Sequence, residues 1–271
     1  MPAGIAGGGL GCRYSQDSVS SNTSSPIALI VPMEEEARSL IERYFPDRPV
    51  PCIGSDVFEA SVGGLQVVLV RCGIGKVNAA SAAAAVIMGW SPSALVVSGV
   101  AGALGGDLQT GDIVVATGAL DHHLDLTPLI KGPGRLPGMA SPVIPASSVL
   151  AGKLARAAEA VASRSAWPSR RPPTVHRGVF ATGDALVNSI SAKEGIVARF
   201  PDASAVDMET AAVAQVAASA SLPWACARVI SDMADETFDP REVLGYASDE
   251  AAGVIAELLG ELALEPWVGH N

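Results

Sequence analysis

Ala205-Val206-Asp207-Met208-Glu209-Thr210-Ala211-Ala212 joins a short apolar run, Ser204-Ala205-Val206, to an alanine-rich helix. An acid at such a strand-to-helix junction commonly caps the helix, where its carboxylate meets free backbone N–H groups and the positive end of the dipole. Here two acids flank a methionine, and only one of them can be the cap. The other is free to face a cleft at the end of the strand, where a carboxylate can grip a pair of vicinal hydroxyls. Alone, the motif reads as well as a cap or buried ion pair as it does as a ligand contact.

The same strand-then-helix grammar recurs on both sides of it. Upstream, Ile27-Ala28-Leu29-Ile30-Val31 is a continuous apolar run that fits a buried strand, ended by Pro32, with Glu34-Glu35-Glu36 opening a helix. Val67–Val70 reads as a strand, Gly73-Ile74-Gly75 as a turn and Lys76–Met88 as a helix. Ala94–Ser98 is a strand, Gly99–Gly106 a glycine-rich loop and Asp112–Ala116 another strand. Pro128–Ser147 is an irregular excursion, Ser148–Ala162 a helix, Val175–Thr182 a strand and Ala192–Phe200 a helix. Downstream, Trp224–Ile230 is a strand and Leu244–Leu264 a final helix. The alternation predicts one α/β domain over 27–264: a central, mixed, mostly parallel twisted sheet with helices on both faces. Residues 1–26 are rich in Gly and Ser and read as a disordered extension or a mis-assigned start, and 265–271 as a tail.

Composition narrows the partners. Half of the 271 residues are apolar and 17% are charged, so the chain can bury a large core. A net charge of −10 argues against nucleic acid and anionic membrane surfaces. The apolar run from Asn78 to Trp90 is too short to span a bilayer, and the N-terminus lacks the pattern of a secretory signal. Cys12, Cys52, Cys72 and Cys226 are scattered without a C-x-x-C pair, which predicts a reducing, cytoplasmic setting and no structural zinc.

In open α/β sheets ligands bind at the carboxyl ends of strands, and unusual residues cluster there. In Met33-Glu34-Glu35-Glu36 the acids cannot all face one way; if one turns inward, Glu36 is the choice. Cys72-Gly73-Ile74-Gly75-Lys76 can present backbone N–H groups to an anion or a water, although it is neither a dinucleotide fingerprint nor a Walker A loop. Ser98-Gly99-Val100-Ala101-Gly102 is small enough for a flat ligand to lie on its backbone, or is simply a tight turn. Ser231-Asp232 supplies either a helix cap or a partly buried acid able to protonate a leaving group. Arg228, inside an apolar strand, needs carboxylate partners, and Glu36 or Glu209 could supply one. His122 and His123 would point to opposite faces of a strand, which argues against a shared metal and for surface or subunit packing.

Taken in order and spacing, these motifs resemble the nucleoside phosphorylase/nucleosidase superfamily, and within it the 5′-methylthioadenosine/S-adenosylhomocysteine nucleosidases. The resemblance covers Ile27 to about Leu264 and also rests on Gly111-Asp112-Ile113-Val114-Val115, on His122 with Asp125 and Thr127, on Leu136-Pro137-Gly138 and on Thr182-Gly183-Asp184-Ala185. It implies cleavage of the N-glycosidic bond of an adenine nucleoside by water, in a catalytic domain at 27–264. Glu36 would activate the water, Asp232 would protonate N7 of the departing adenine with Ser231 positioning it, and Arg228 would order the water and carboxylates. Glu209 and Met208 would hold the ribose beside Asp207, and the backbone at Leu186 and Val187 would read the adenine edge. Cys72 and Gly73 would lie near the water, Ala101 and Gly102 under the substrate, and Met33 and Phe238 along the 5′ substituent. Asp207, Cys72, Leu186 and Asp121 stand where the family more often has glutamate, serine, a stacking phenylalanine and an aromatic residue at the 5′ pocket.

The resemblance further implies a homodimer, contacted through His122 to Met139, with no metal or organic cofactor. A phosphate-dependent phosphorylase of the same fold is the rival, but Met33-Glu34-Glu35-Glu36 would repel phosphate where phosphorylases carry an arginine-containing loop. A hydrolase of a related nucleoside such as futalosine is another, and a non-catalytic nucleoside-binding protein is a third from a different class.

Overall fold

Ile27–Val31 (β1) is buried over its whole length, and its alternating side chains feed two cores. Ile27, Leu29 and Val31 enter one; Ala28 and Ile30 enter the other. Only a strand covered on both faces shows this pattern, so the unbroken apolar run in the sequence and the layered architecture have one cause. The structure is a computed structural model that describes residues 25–164 and 171–267. The expected extension at 1–26 lies outside the described residues up to position 24, as does the tail from 268.

After β1 come α1 (Glu34–Tyr44), β2 (Val50–Cys52), β3 (Ser55–Val62), β4 (Leu65–Arg71), α2 (Lys76–Trp90), β5 (Ala94–Ala103) and β6 (Ile113–Asp121). The chain continues through β7 (Ile144–Pro145), α3 (Ser148–Ala162), β8 (Val175–Thr182), α4 (Ile190–Arg199), β9 (Ala203–Asp207) and α5 (Thr210–Ser219). It finishes with β10 (Trp224–Asp232), α6 (Pro240–Tyr246), a π-helical turn (Ala247–Ala251) and α7 (Ala252–Leu264).

The strands form one mixed sheet in the order β10-β6-β8-β9-β5-β1-β4-β3-β2, with β7 on β6. The pairings β1–β4, β1–β5, β5–β10, β6–β8 and β8–β9 are parallel. Because β10 bonds to both β5 and β6, the strands β5, β10, β6, β8 and β9 close into a ring. Residues of α1, α3 and α7 fill the core on one face, and those of α2 and α5 fill the other. Among the described residues no helix is long and apolar enough to cross a membrane.

Three expectations need correction. Gly99–Gly106 is not a loop throughout: β5 runs on to Ala103, since its pairing with β10 and β9 outweighs the weak strand preference of glycine. The final helix begins at Pro240, not Leu244, because Asp239 caps it by accepting a hydrogen bond from the Arg241 N–H (2.8 Å). His122 and His123 lie in the turn after β6 rather than on the strand, so their rings sit side by side with centroids 4.2 Å apart. Burial lowers the His122 pKa to about 4 and keeps that ring neutral. No cluster of three metal-ligating side chains occurs among the described residues.

Candidate active site

Six segments that follow or end β1, β4, β5, β8, β9 and β10 meet at the ends of the strands. Between them is a cleft of about 280 Å³, walled mainly by apolar side chains and floored by a buried cluster of charge.

Arg228 is the centre of that cluster and is 1% exposed. Its Nη2 donates to Glu209 Oε2 (2.9 Å) and its Nη1 donates to the Val100 carbonyl (2.9 Å). Its Nε lies 3.0 Å from Asp207 Oδ2, an ion pair without hydrogen-bond alignment. Burial alone would lower the pKa of the guanidinium, but Asp207 and Glu209 more than offset that and hold it charged.

The two acids of the 205–212 stretch divide the roles that the sequence left open. Asp207 is the one that holds the helix start: its Oδ2 accepts from the Thr210 N–H (3.2 Å) and from the Thr210 hydroxyl, and its Oδ1 accepts from the Thr182 hydroxyl (2.6 Å). Glu209 stands at the cap position but makes no side-chain cap bond. It turns into the cleft, where Oε1 accepts from the Gly75 N–H (2.8 Å). The anion offered to the Gly73-Ile74-Gly75 turn is therefore the protein's own carboxylate. Gly73 and Gly75 have φ of +84° and +101°, values that favour glycine. Burial, and then Asp207, raise the Glu209 pKa against the pull of Arg228.

Glu36 is the acid of the 34–36 run that turns inward; it is 1% exposed, whereas Glu34 stays out and pairs with Arg71 (3.0 Å). Its Oε1 accepts from the Val100 N–H (2.7 Å) and its Oε2 from the Met33 N–H (2.8 Å). It makes no direct contact with the guanidinium. Burial raises its pKa from 4.5 to about 7, although Arg228 and the two N–H donors pull the other way. One cation faces three carboxylates here, and Glu36 is the one with no hydrogen bond or ion pair to it. Gly99 makes this packing possible: a Cβ there would lie 2.5 Å from Glu36 Oε1, and its φ is +144°.

Asp232 ends β10 and lines the same cleft. Its Oδ2 accepts from the Ser231 hydroxyl (2.7 Å) and its Oδ1 from the Ala234 N–H (2.9 Å). It caps no helix, since α6 begins at Pro240. The structure thus brings Met33, Glu36, Ala101, Gly102, Leu186, Val187, Asp207, Met208, Glu209, Arg228, Ser231, Asp232 and Phe238 to one cleft.

Cys72 and Gly73 do not line it. The Cys72 thiol is buried and directed at the Gly73 carbonyl (3.2 Å), and burial next to Glu209 pushes its pKa up to about 12. Asp121 does not border the cleft of its own chain either; its Oδ2 accepts from Lys76 Nζ (2.8 Å) in a separate cavity. Sequence reading missed Ile74, Ala185, Pro240, Val243 and Leu244, which form the apolar rim. The Asp239-Pro240 pair could have located three of them, because proline at the first helical position after an acid marks a helix start.

Comparison with known proteins identifies relatives of this chain. The phosphorylase superfamily model matches residues 26–261. The 5′-methylthioadenosine/S-adenosylhomocysteine nucleosidase of Anoxybacillus flavithermus is 33% identical over 208 residues, 77% of this chain and 85% of that protein. The Neisseria meningitidis enzyme of the same name, in complex with methylthio-immucillin-A, superposes with a TM-score of 0.77 at 30% identity, covering 88% of this chain and 98% of that one. The futalosine hydrolase of Helicobacter pylori superposes with a TM-score of 0.76 at 27% identity, covering 88% of this chain and 97% of that one. The chain belongs to the phosphorylase superfamily and, within it, to the 5′-methylthioadenosine/S-adenosylhomocysteine nucleosidases, hydrolases of N-glycosyl compounds.

Proposed function

We propose that the cleft hydrolyses 5′-methylthioadenosine and S-adenosylhomocysteine to adenine and the free 5′-substituted ribose, and that Glu36 and Asp232 are its base and acid. The carrying observation is the placement of two carboxyl groups in different surroundings on one cleft, which Glu209, held by Arg228, also lines. Breaking the C1′–N9 bond builds positive charge on the sugar and negative charge on the purine. Glu36 takes a proton from water as its oxygen bonds to C1′. The electron pair of the broken bond goes to the purine, and N7 receives the Asp232 proton. The Ser231 hydroxyl orients Asp232, and Glu209, with Met208 beside it, holds the ribose hydroxyls. This division follows the general logic of glycoside hydrolysis. The backbone at Leu186 and Val187 reads the purine edge, and Met33 and Phe238 flank the 5′ substituent.

Water rather than phosphate is the acceptor. Arg228 is the sole cation lining the cleft among the described residues, and its donors already face Asp207, Glu209 and the Val100 carbonyl. A phosphate dianion would find no free cation there and would meet Glu36. Chromatography of products from methylthioadenosine, S-adenosylhomocysteine, 5′-deoxyadenosine, adenosine and futalosine, with and without phosphate, tests the reading. Free sugar formed without phosphate supports it, sugar 1-phosphate formed only with phosphate overturns it, and cleavage of futalosine alone moves the chain to the related hydrolase. Glu36 must be ionised to act as the base, so kcat/KM is expected to fall as pH drops below about 7. A profile flat down to pH 5 would remove Glu36 from that role.

The working form is a homodimer. A helix that is apolar all round needs cover on its outer side as well as its inner side. The helix α2 is such a helix, with Lys76 as its only charged residue and with Val77 and Met88 78% and 67% exposed. Leu129, in the segment expected to meet the partner, is 89% exposed. Val77→Asp is expected to halve the mass seen by sedimentation equilibrium, whereas a wild-type chain that sediments as a monomer would sink the dimer.

A further inference from the structure

A lysine at the start of α2 breaks a local rule, because a cation there opposes the positive end of the helix dipole. It is also the only charge on that helix. Where sequence defies local electrostatics, a tertiary role is the first place to look.

Lys76 follows Gly75, the residue whose N–H holds Glu209. Its Nζ lies 2.8 Å from Asp121 Oδ2 at the end of β6 and 2.9 Å from Asp184 Oδ2 in the segment between β8 and α4. Asp184 is followed directly by Ala185, Leu186 and Val187, which line the cleft beside Asp232. The Asp184 N–H donates to His123 Nδ1 (3.0 Å), and Asp121 Oδ1 accepts from the His123 and Leu124 N–H groups (2.9 and 3.2 Å). One ammonium group therefore joins the turn whose N–H holds Glu209 to a segment that lines the same cleft. Burial by itself would lower the Lys76 pKa, but Asp121 and Asp184 outweigh it and hold the ammonium above its ordinary range.

We propose that Lys76 is a positioning residue that clips the 183–187 segment, through Asp184, to the start of α2, so that the ribose and purine halves of the cleft keep a fixed spacing. The proposal rests on the nucleosidase reading for its choice of substrate and on geometry for the clip itself. Asp184 is 55% exposed at its side chain, so the pair adds little to global stability and its effect falls on local order. The segment needs such a tie: Asp184, Ala185 and Leu186 are all exposed.

The test uses Lys76→Met, Lys76→Arg, Asp184→Asn and the Lys76→Met/Asp184→Asn double variant. Lys76→Met is expected to raise KM for methylthioadenosine about tenfold while kcat stays within about threefold, as for a group that orients substrate without touching it. Lys76→Arg is expected to restore most of the loss. Asp184→Asn should move KM the same way, with the double variant no worse than Lys76→Met, as for two members of one contact. Additive effects, an unchanged KM or no rescue by arginine would overturn the proposal. Amide hydrogen exchange of 183–189 gives a readout that needs no substrate: faster exchange in Lys76→Met supports the clip, and unchanged exchange overturns it. If the wild-type protein cleaves none of the nucleosides, the substrate reading fails while the exchange experiment still decides the clip.

Discussion

Asp232→Asn is expected to lower kcat for adenine release by about 10²–10⁴-fold, the range for loss of a general acid. KM and the unfolding temperature should change little. An amide keeps the shape of the carboxyl group, its oxygen can still accept from the Ala234 N–H, and the Ser231 hydroxyl can rotate to accept from its nitrogen. What the amide cannot do is release a proton to a departing purine. Steady-state kinetics with methylthioadenosine, alongside thermal unfolding of the same preparation, separates the two effects. Activity within tenfold of wild type would remove Asp232 as the acid and leave it a structural residue.

Arg228→Met should produce the largest loss of stability. The guanidinium is buried and faces Asp207, Glu209 and the Val100 carbonyl, so its removal strands two carboxylates beside a third. Breaking a buried ion pair from one side costs about 3–5 kcal/mol, which for a chain of this size lowers the unfolding temperature by about 6–20 °C. The pH dependence follows from the stranded acids. Burial already raises the pKa of Glu209 and Glu36 in the folded protein, and loss of Arg228 raises them further. The folded state then favours the protonated forms, so stability is greatest at low pH and is lost as pH rises through the raised values. The gap between variant and wild type should be narrower at pH 5 than at pH 8. A shift under about 2 °C at pH 8 would mean that the cluster relaxes or takes in water.

The two predictions draw on different levels of information. Asp232 as a candidate acid was legible from its place after an apolar strand, beside the other reading as a helix cap. Arg228 drew attention as a lone charge in a buried run, but its partners could only be guessed, and the structure pairs it with Glu209 and Asp207 rather than Glu36. The hairpin of β3 and β4 went unread, although Gly63-Gly64 between apolar runs is a turn signal and both residues have positive φ. Asp56, Glu59 and Ser61 interrupt the apolar pattern of β3 and hid that strand.

The sequence by itself determined the strand and helix order of most of the chain. Elements such as Ile27–Val31, Ser148–Ala162 and Val175–Thr182 were placed at their observed limits. That information is local: burial on one or two faces imposes a side-chain period, and period survives in one dimension. Only the tertiary structure decided the closed ring of strands, which of the two acids in Asp207-Met208-Glu209 holds the helix start and which meets the Gly75 N–H, and the burial that raises the Glu36 pKa to about 7. Each of these depends on groups far apart in the chain, as when the Gly75 N–H meets Glu209 across 134 positions. Proton affinity and orientation are set by burial and by charges a few ångströms away in space, and no periodicity records them.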